Sequence, residues 1–334
     1  MKVSVVGGGS WGSAFSVLLG RKHIQTRLWI RERDIFDSVS RTRENKTFLP
    51  GIEFPSSISF HHSLEKTLEG TDMVFIAVPS EYCRGMYEKM SPFLTSDQMI
   101  ISLTKGIEYE SLKRMSQMMQ DIFDPQILSR IAVLSGPSFA LEVAESHPTA
   151  VVVASTDSEV SQQIQQVISD PLFRAYTSSD VTGVEVAGAL KNIIAISAGI
   201  TDGLKFGTNS LAALITRGIA EITRLGVKMG AKPETFAGLA GIGDLVLTCT
   251  GKLSRNRYVG TELGKGKSIK KILKKMKMVA EGVVTTLSAR KLAEKYEIEM
   301  PICEQVYQIL YNNKDPKKAL KDLMTRKLKQ EKIF

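Results

Sequence analysis

Cysteine is scarce. Only Cys83, Cys249 and Cys303 occur in 334 residues, odd in number and far apart. That excludes a disulfide framework and a thiolate metal site, and it fits a reducing cytoplasm. Histidine is almost as sparse. His23, His61, His62 and His147 sit in polar, loop-like stretches, and none has a partner at metal or triad spacing. No metal is expected. Uninterrupted apolar runs are too short to cross a bilayer. The chain enters an apolar strand at Val3, so no secretory leader is expected either. Fixed-period repeats and low-complexity linkers are also missing.

What is there is an ordinary globular composition, 43% hydrophobic and 24% charged, with a length suited to about two domains. The chain is basic, with a formal charge of +9 and a pI near 9.3. A nucleic-acid partner comes to mind first. Yet much of the excess lies in Lys265–Lys275 and Lys314–Lys332, where lysines alternate with Ile and Leu at amphipathic spacing. These stretches read as solvated helix faces whose lysine stems cover apolar surface. No nucleic-acid motif is present. A basic field favours small anions instead.

The first dozen residues organise the chain. Val3–Val6 is a short β-branched run, read as a buried strand, and Gly7, Gly9 and Gly12 then fit G-x-G-x-x-G. Ser13–Leu19 follows with apolar side chains at helical spacing. In that context the glycines make a dinucleotide site: Gly7 for a tight turn, Gly9 for close approach of a pyrophosphate, Gly12 for helix–strand packing. Strands and helices then alternate, with strands near Thr26–Ile30, Ile58–Phe60, Asp72–Val78, Met99–Leu103, Ile131–Leu134, Thr149–Ala154 and Phe173–Thr177. That pattern predicts a parallel α/β sheet covered on both faces. From about Ser179 no alternating strand is evident, and the rest reads as all-α. The expected organisation is a dinucleotide-binding domain over residues 1–180 and a helical domain over 181–334.

Ligands of open α/β sheets bind beyond the C-terminal strand ends. Arg31, Glu32 and Arg33 follow the second strand, where an acid would accept the ribose 2′-OH of NAD and an arginine would favour the 2′-phosphate of NADP. Lys105 follows the Met99 strand, and Gly136 and Ser138 follow the Ile131 strand. In the helical half, Lys191 and Asn192 interrupt a small, apolar helix. A charge there is costly unless paired or shifted in pKa. Lys191 therefore reads equally as a snorkelling or ion-paired lysine and as a general acid/base. Asp244, after Gly241-Ile242-Gly243, reads as a helix N-cap that could also orient a lysine. Ser254-Arg255-Asn256 offers a phosphate cradle or a capped helix start.

The glycine turn, Lys191-Asn192 and Ser254-Arg255-Asn256 together resemble NAD(P)-dependent sn-glycerol-3-phosphate dehydrogenases of the bacterial type. Val133-Leu134-Ser135-Gly136-Pro137-Ser138, Gly188–Ile193, Ala198–Leu204, Leu214–Gly218, Gly241–Leu245 and Val279–Val283 extend the resemblance over essentially the whole chain. It implies an N-terminal Rossmann domain and a C-terminal helical substrate domain like that of 6-phosphogluconate dehydrogenase, with the active site between them. The implied reaction is reversible reduction of dihydroxyacetone phosphate to sn-glycerol 3-phosphate, which supplies phospholipid synthesis in the cytoplasm without stable membrane insertion. A homodimer is compatible with this reading. By matching positions, Lys191 would move the proton at the C2 oxygen, and Lys105, Asn192, Asp244 and Thr248 would orient substrate and lysine. Gly136, Ser138, Ser254, Arg255 and Asn256 would hold substrate. Ser10, Trp11, Arg31, Lys105, Ala140, Arg255, Val279 and Glu281 would line the cofactor site. The family's NADP-preferring members carry a basic pair after the second strand. Here Glu32 separates Arg31 from Arg33, so the choice between NADH and NADPH leans only slightly to NADPH. The rival readings are another β-hydroxyacid dehydrogenase, of 3-hydroxyisobutyrate or 6-phosphogluconate type, and a non-enzymatic dinucleotide sensor with no need of Lys191 or Arg255.

Overall fold

The computed structural model describes residues 1–276, 278–328 and 330–331. The last residues of the Lys314–Lys332 basic stretch lie partly outside them. The chain divides into two compact units. One is Met1–Thr104 with Met115–Val181, and the other is Lys105–Arg114 with the chain from Thr182 onward. A single boundary near residue 180 thus misses a ten-residue strap that clusters with the helices.

The first unit is built on one eight-stranded sheet. Its strands are β1 Lys2–Val6, β2 Gln25–Trp29, β3 Ile58–His61, β4 Met73–Ile76, β5 Met99–Ser102, β6 Ile131–Ser135, β7 Thr149–Ala154 and β8 Phe173–Ser178. Their order is β3-β2-β1-β4-β5-β6-β7-β8. The helices of this unit are α1 Ser10–Arg21, α2 Arg33–Thr42, α3 Leu64–Leu68, α4 Cys83–Met90, α5 Met115–Ile122, α6 Ala140–Ala144 and α7 Ser158–Ile168. The alternation of the strands splits the core in two. Met73 and Phe75 of β4 join the cluster that contains Phe15 of α1. Val74 and Ile76 join the cluster that contains Met86, Tyr87 and Met118. Burial on both faces explains why β4 reads as an unbroken apolar run.

One pairing departs from the expected parallel sheet: β7 runs antiparallel to β6. The connection between them carries only the five-residue α6, and the chain turns back beyond the C-terminal end of β6 instead of crossing over the sheet.

The second unit is helical among the described residues. It comprises α8 Val181–Gly203, α9 Thr208–Lys228, α10 Pro233–Ala237, α11 Asp244–Thr250, α12 Arg255–Gly264, α13 Ile269–Lys275, α14 Glu281–Lys295, α15 Pro301–Asn312 and α16 Pro316–Met324. Contrary to the sequence expectation, one helix among the described residues is long and apolar enough to cross a membrane: α8, with an 18-residue window of mean hydropathy 1.4. A count of uninterrupted apolar residues misses it, because Glu185 and Lys191 break the run. That window is 94% buried, the mark of a core helix.

Four glycines bring α8 and α12 into backbone contact. A Cβ on Gly199 would stand 2.0 Å from the Arg257 carbonyl oxygen, and one on Gly260 would stand 1.9 Å from that of Ile196. Gly203 and Gly264 repeat the fit one turn further along. The lysine-rich α13 buries Ile272 and leaves its lysines exposed, the solvated face read from the sequence.

Candidate active site

In the helical unit, α8 carries Lys191 in its middle, and α11 begins at Asp244. Lys191 Nζ donates to Asp244 Oδ1 at 2.5 Å and to Thr248 Oγ1 at 2.7 Å. Lys105 Nζ, at the head of the strap, donates to Asp244 Oδ2 at 2.7 Å. One carboxylate therefore bridges two ammonium groups, an oxygen to each. The Thr248 hydroxyl donates back to the Asp244 carbonyl oxygen at 2.6 Å, which turns its lone pairs to Lys191. Lys191 is 6% exposed, Asp244 1% and Thr248 4%.

Burial and charge act in opposite directions here. Desolvation pushes the Lys191 pKa down, Asp244 opposes the fall, and Lys105 deepens it; the result is about 8. Desolvation would raise the Asp244 pKa, but the two lysines outweigh it and hold the carboxyl below its usual range. Lys191 is therefore both things its sequence context allowed, a buried ion-pair partner and an amine shifted toward neutrality. Asp244 is not the N-cap of α11. Gly243 holds that position, without a side-chain cap, and the Asp244 carboxylate is spent on the lysines.

A second network lies beside the first. Asn256 Nδ2 donates to Asn192 Oδ1 at 2.9 Å, and the Gly282 N–H donates to Asn256 Oδ1 at 3.0 Å. A Cβ on Gly282 would come within 2.7 Å of the Asn192 carbonyl oxygen. The glycine crossing of α8 and α12 sets this register. Ser254 caps α12, its hydroxyl accepting the Arg257 N–H at 3.2 Å, so the capped-helix reading holds for it. Arg255 is exposed at the first position of α12 and makes no hydrogen bond or ion pair among the described residues. Val279 is half-buried just before α14, and Glu281 is the first residue of that helix.

In the sheet unit, the glycine turn has the three properties that a dinucleotide loop requires. Gly7 takes φ +120°, with Ala77 O 2.6 Å from where a Cβ would lie. A Cβ on Gly12 would meet Gly7 O at 1.9 Å, whereas Gly9 opens on free space with nothing within 4 Å. The N-cap of α1 is Gly9, which has no side chain to cap the helix, so the helix end suits an anion. Ser10 and Trp11 begin that helix, and Trp11 Nε1 is buried with no acceptor among the described residues. The loop thus fits a pyrophosphate. Gly136, at φ +140°, follows β6; its carbonyl accepts from Ser138 Oγ at 2.9 Å, and Ala140 begins α6.

Arg31 and Arg33 are both already paired. Arg31 donates through Nε and Nη2 to Glu32 Oε1, at 2.8 and 2.5 Å, and its guanidinium lies 5.6 Å from the Tyr82 ring centroid. Arg33 pairs with Asp37 at 3.2 Å. The structure thus gathers Lys105, Lys191, Asp244 and Thr248 in one cluster and joins Asn192 to Asn256 in a second. It sets the sheet-unit residues at the C-terminal ends of β1, β2 and β6. Sequence reading gave no role to Gly282, to the four crossing glycines, or to the Arg114–Glu185 ion pair discussed below.

A dinucleotide-type sheet joined to a helical unit with a buried lysine–carboxylate–lysine cluster defines a nicotinamide-dependent dehydrogenase. Comparison with known proteins supplies the family. Residues 2–161 match the model of the NAD-dependent glycerol-3-phosphate dehydrogenase N-terminus, and residues 180–321 match that of the C-terminus. The chain belongs to this family and is an oxidoreductase. The glycerol-3-phosphate dehydrogenase [NAD(P)+] of Citrifermentans bemidjiense is 50% identical over 99% of this chain and 98% of its own length. That of Geobacter sulfurreducens is 49% identical over the same shares. The crystal structure of the Coxiella burnetii glycerol-3-phosphate dehydrogenase superposes with a TM-score of 0.93 at 39% identity, covering 97% of this chain and 99% of that one.

Proposed function

We propose that the protein reduces dihydroxyacetone phosphate reversibly to sn-glycerol 3-phosphate with NADH or NADPH, and that Lys191 moves the proton at the C2 oxygen. The observation that carries this is the Asp244 carboxylate shared between Lys191 and Lys105. Asp244 and Thr248 take two of the three N–H donors of the Lys191 ammonium. One donor is left for the substrate oxygen. In reduction, that N–H polarises the carbonyl and then gives up its proton; in oxidation, the neutral amine takes the hydroxyl proton. A lysine with a pKa of about 8 serves in both directions. Asp244, held ionised, orients the amine and does not itself titrate at working pH. When bound, the nicotinamide supplies the hydride for C2.

Arg255, Ser254 and Asn256 at the start of α12 would take the substrate phosphate, with Arg255 as the rigid fork. Gly136 and Ser138 are assigned to substrate as well, with Asn192 orienting it. Gly7, Gly9, Gly12, Ser10, Trp11 and Ala140 would hold the dinucleotide, and Arg31 and Arg33 would meet its adenosine ribose. We assign the glycerol phosphate to phospholipid synthesis. We place the enzyme in the cytoplasm, a reading supported by three buried cysteines that form no disulfide among the described residues. Only small molecules enter this reading, neither nucleic acid nor membrane, and hydrodynamic size separates monomer from homodimer.

The test is oxidation of NADH and of NADPH by purified protein with dihydroxyacetone phosphate, followed across pH. The ammonium is the reactive form in reduction, so kcat/KM for reduction should fall as pH rises through about 8. For glycerol phosphate oxidation it should rise over the same window. No turnover with this substrate, or turnover with 3-hydroxyisobutyrate or 6-phosphogluconate instead, would overturn the assignment.

A further inference from the structure

Lys105 heads a strap, Lys105–Arg114, that leaves the sheet unit after β5, clusters with the helices and returns at α5. The strap is closed on itself. Ile107 and Arg114 form an antiparallel bridge, and the Glu108 N–H donates to the Lys113 carbonyl oxygen at 3.0 Å. Ile107 is 1% exposed in the helical core, and its carbonyl accepts from Ser288 Oγ of α14 at 3.2 Å. The far end carries a charge. The Arg114 guanidinium pairs with the Glu185 carboxylate of α8, and the two side chains are 12% and 3% exposed. Glu185 lies six residues before Lys191 on the same helix. Helix α8 therefore holds one amine of the site directly and reaches the other through Glu185, Arg114 and the Ile107 bridge.

We propose that Arg114 and Glu185 are a positioning pair that sets Lys105 on the Asp244 carboxylate. This rests on the role given above to Lys105 and goes beyond it. An arginine–carboxylate pair fixes orientation through a planar fork, which an apolar contact would not do. Without it, the strap retains its Ile107 anchor but loses the constraint on register, and Lys105 moves off Asp244. The groups facing Lys191 are Asp244, Lys105, Thr248 and Cys249. Lys105 is the cation that presses the Lys191 proton off, so its displacement raises the pH at which Lys191 titrates.

The experiment uses the full-length enzyme. Arg114→Ala should lower kcat about tenfold, the scale of a small misplacement in a site. It should move the pH midpoint of kcat/KM upward and leave the KM for NAD(P)H unchanged. Added to Lys105→Met, it should cost nothing further. Should Arg114→Ala fold poorly, Arg114→Gln with Glu185→Gln removes both charges without leaving either buried alone and should give the same upward midpoint shift in a folded protein, while Arg114→Lys, which keeps the charge but not the planar fork, should recover the midpoint only in part. Losses that simply add to those of Lys105→Met, or an unmoved midpoint in folded Arg114→Ala or in the folded Arg114→Gln/Glu185→Gln protein, would overturn the pair. A wild-type rate for Lys105→Met alone would be a different failure: it removes the role of Lys105, and the clasp goes with it.

Discussion

The molecule handles charge in two ways, and under the proposed function the contrast divides catalysis from recognition. In the helical unit, Asp244 at 1% exposure binds two lysines that come from α8 and from a strap 139 residues away in sequence. In the sheet unit, Arg31 pairs with its neighbour Glu32, and Arg33 with Asp37 one helical turn on, at side-chain exposures of 36% to 69%. The buried cluster has lost water, so its geometry tunes pKa values. The exposed pairs keep their water, so each is worth at most about 1 kcal/mol. Such pairs are easily exchanged for a ligand. On the proposed function, chemistry is placed where charges cannot rearrange, and choice between cofactors where they can.

The largest expected effect comes from breaking the buried side. Lys191→Ala removes the proton donor and leaves Asp244 with Lys105 alone. Turnover should fall by about 10²- to 10⁴-fold, the range of a lost general acid/base, while NAD(P)H binding to the glycine turn survives. Steady-state kinetics and a fluorescence titration of the cofactor measure the two separately. Near-normal turnover would take Lys191 out of the mechanism and reduce the cluster to a structural ion pair.

Arg255 lies between the two regimes, exposed like the arginines of the sheet unit but without a partner carboxylate among the described residues. Arg255→Ala should raise the KM for the phosphorylated substrate by about 10- to 100-fold, since a hydrogen bond to a charged group contributes about 1.5–3 kcal/mol. The kcat should change less. An unchanged KM would move the phosphate elsewhere.

The same contrast explains how much could be read from the sequence. The glycine turn is local: strand, Gly7, Gly9, Gly12 and helix are contiguous, and each glycine has the steric reason that its spacing implies. The helical half and its amphipathic lysine stretches follow from periodicity. The antiparallel β7 does not, because strand direction depends on the path of the β6–β7 connection in three dimensions, and the equally short α3 joins parallel strands. Lys191 was visible as a charge in an apolar helix, and the family resemblance named Lys105, Asp244 and Thr248 as groups that orient it. Residue spacing alone offered Asp244 only as a cap that could orient a lysine, and nothing in the spacing of Lys105 placed it on the same carboxylate. Glu185 interrupts the same helix as Lys191 and could have been questioned in the same way. Its partner Arg114, like the contacts of Gly199 and Gly260 on α12, exists only in three dimensions.

The smallest expected effect tests the exposed side. A 2′-phosphate reaching Arg31 must compete with Glu32, which already takes two of its donors. Glu32→Gln removes that competitor and its repulsion of the phosphate, and leaves the fold untouched, because the carboxylate bears only on an exposed neighbour. The ratio of kcat/KM for NADPH over NADH should rise about three- to fivefold, the equivalent of one exposed pair. It should do so less at high salt, where exposed charges are screened. An unchanged ratio would mean that Glu32 lies clear of the ribose and that Arg33, freed from Asp37, decides the choice. A lysine-cluster variant such as Lys191→Ala should leave this preference, read by cofactor binding, where it was.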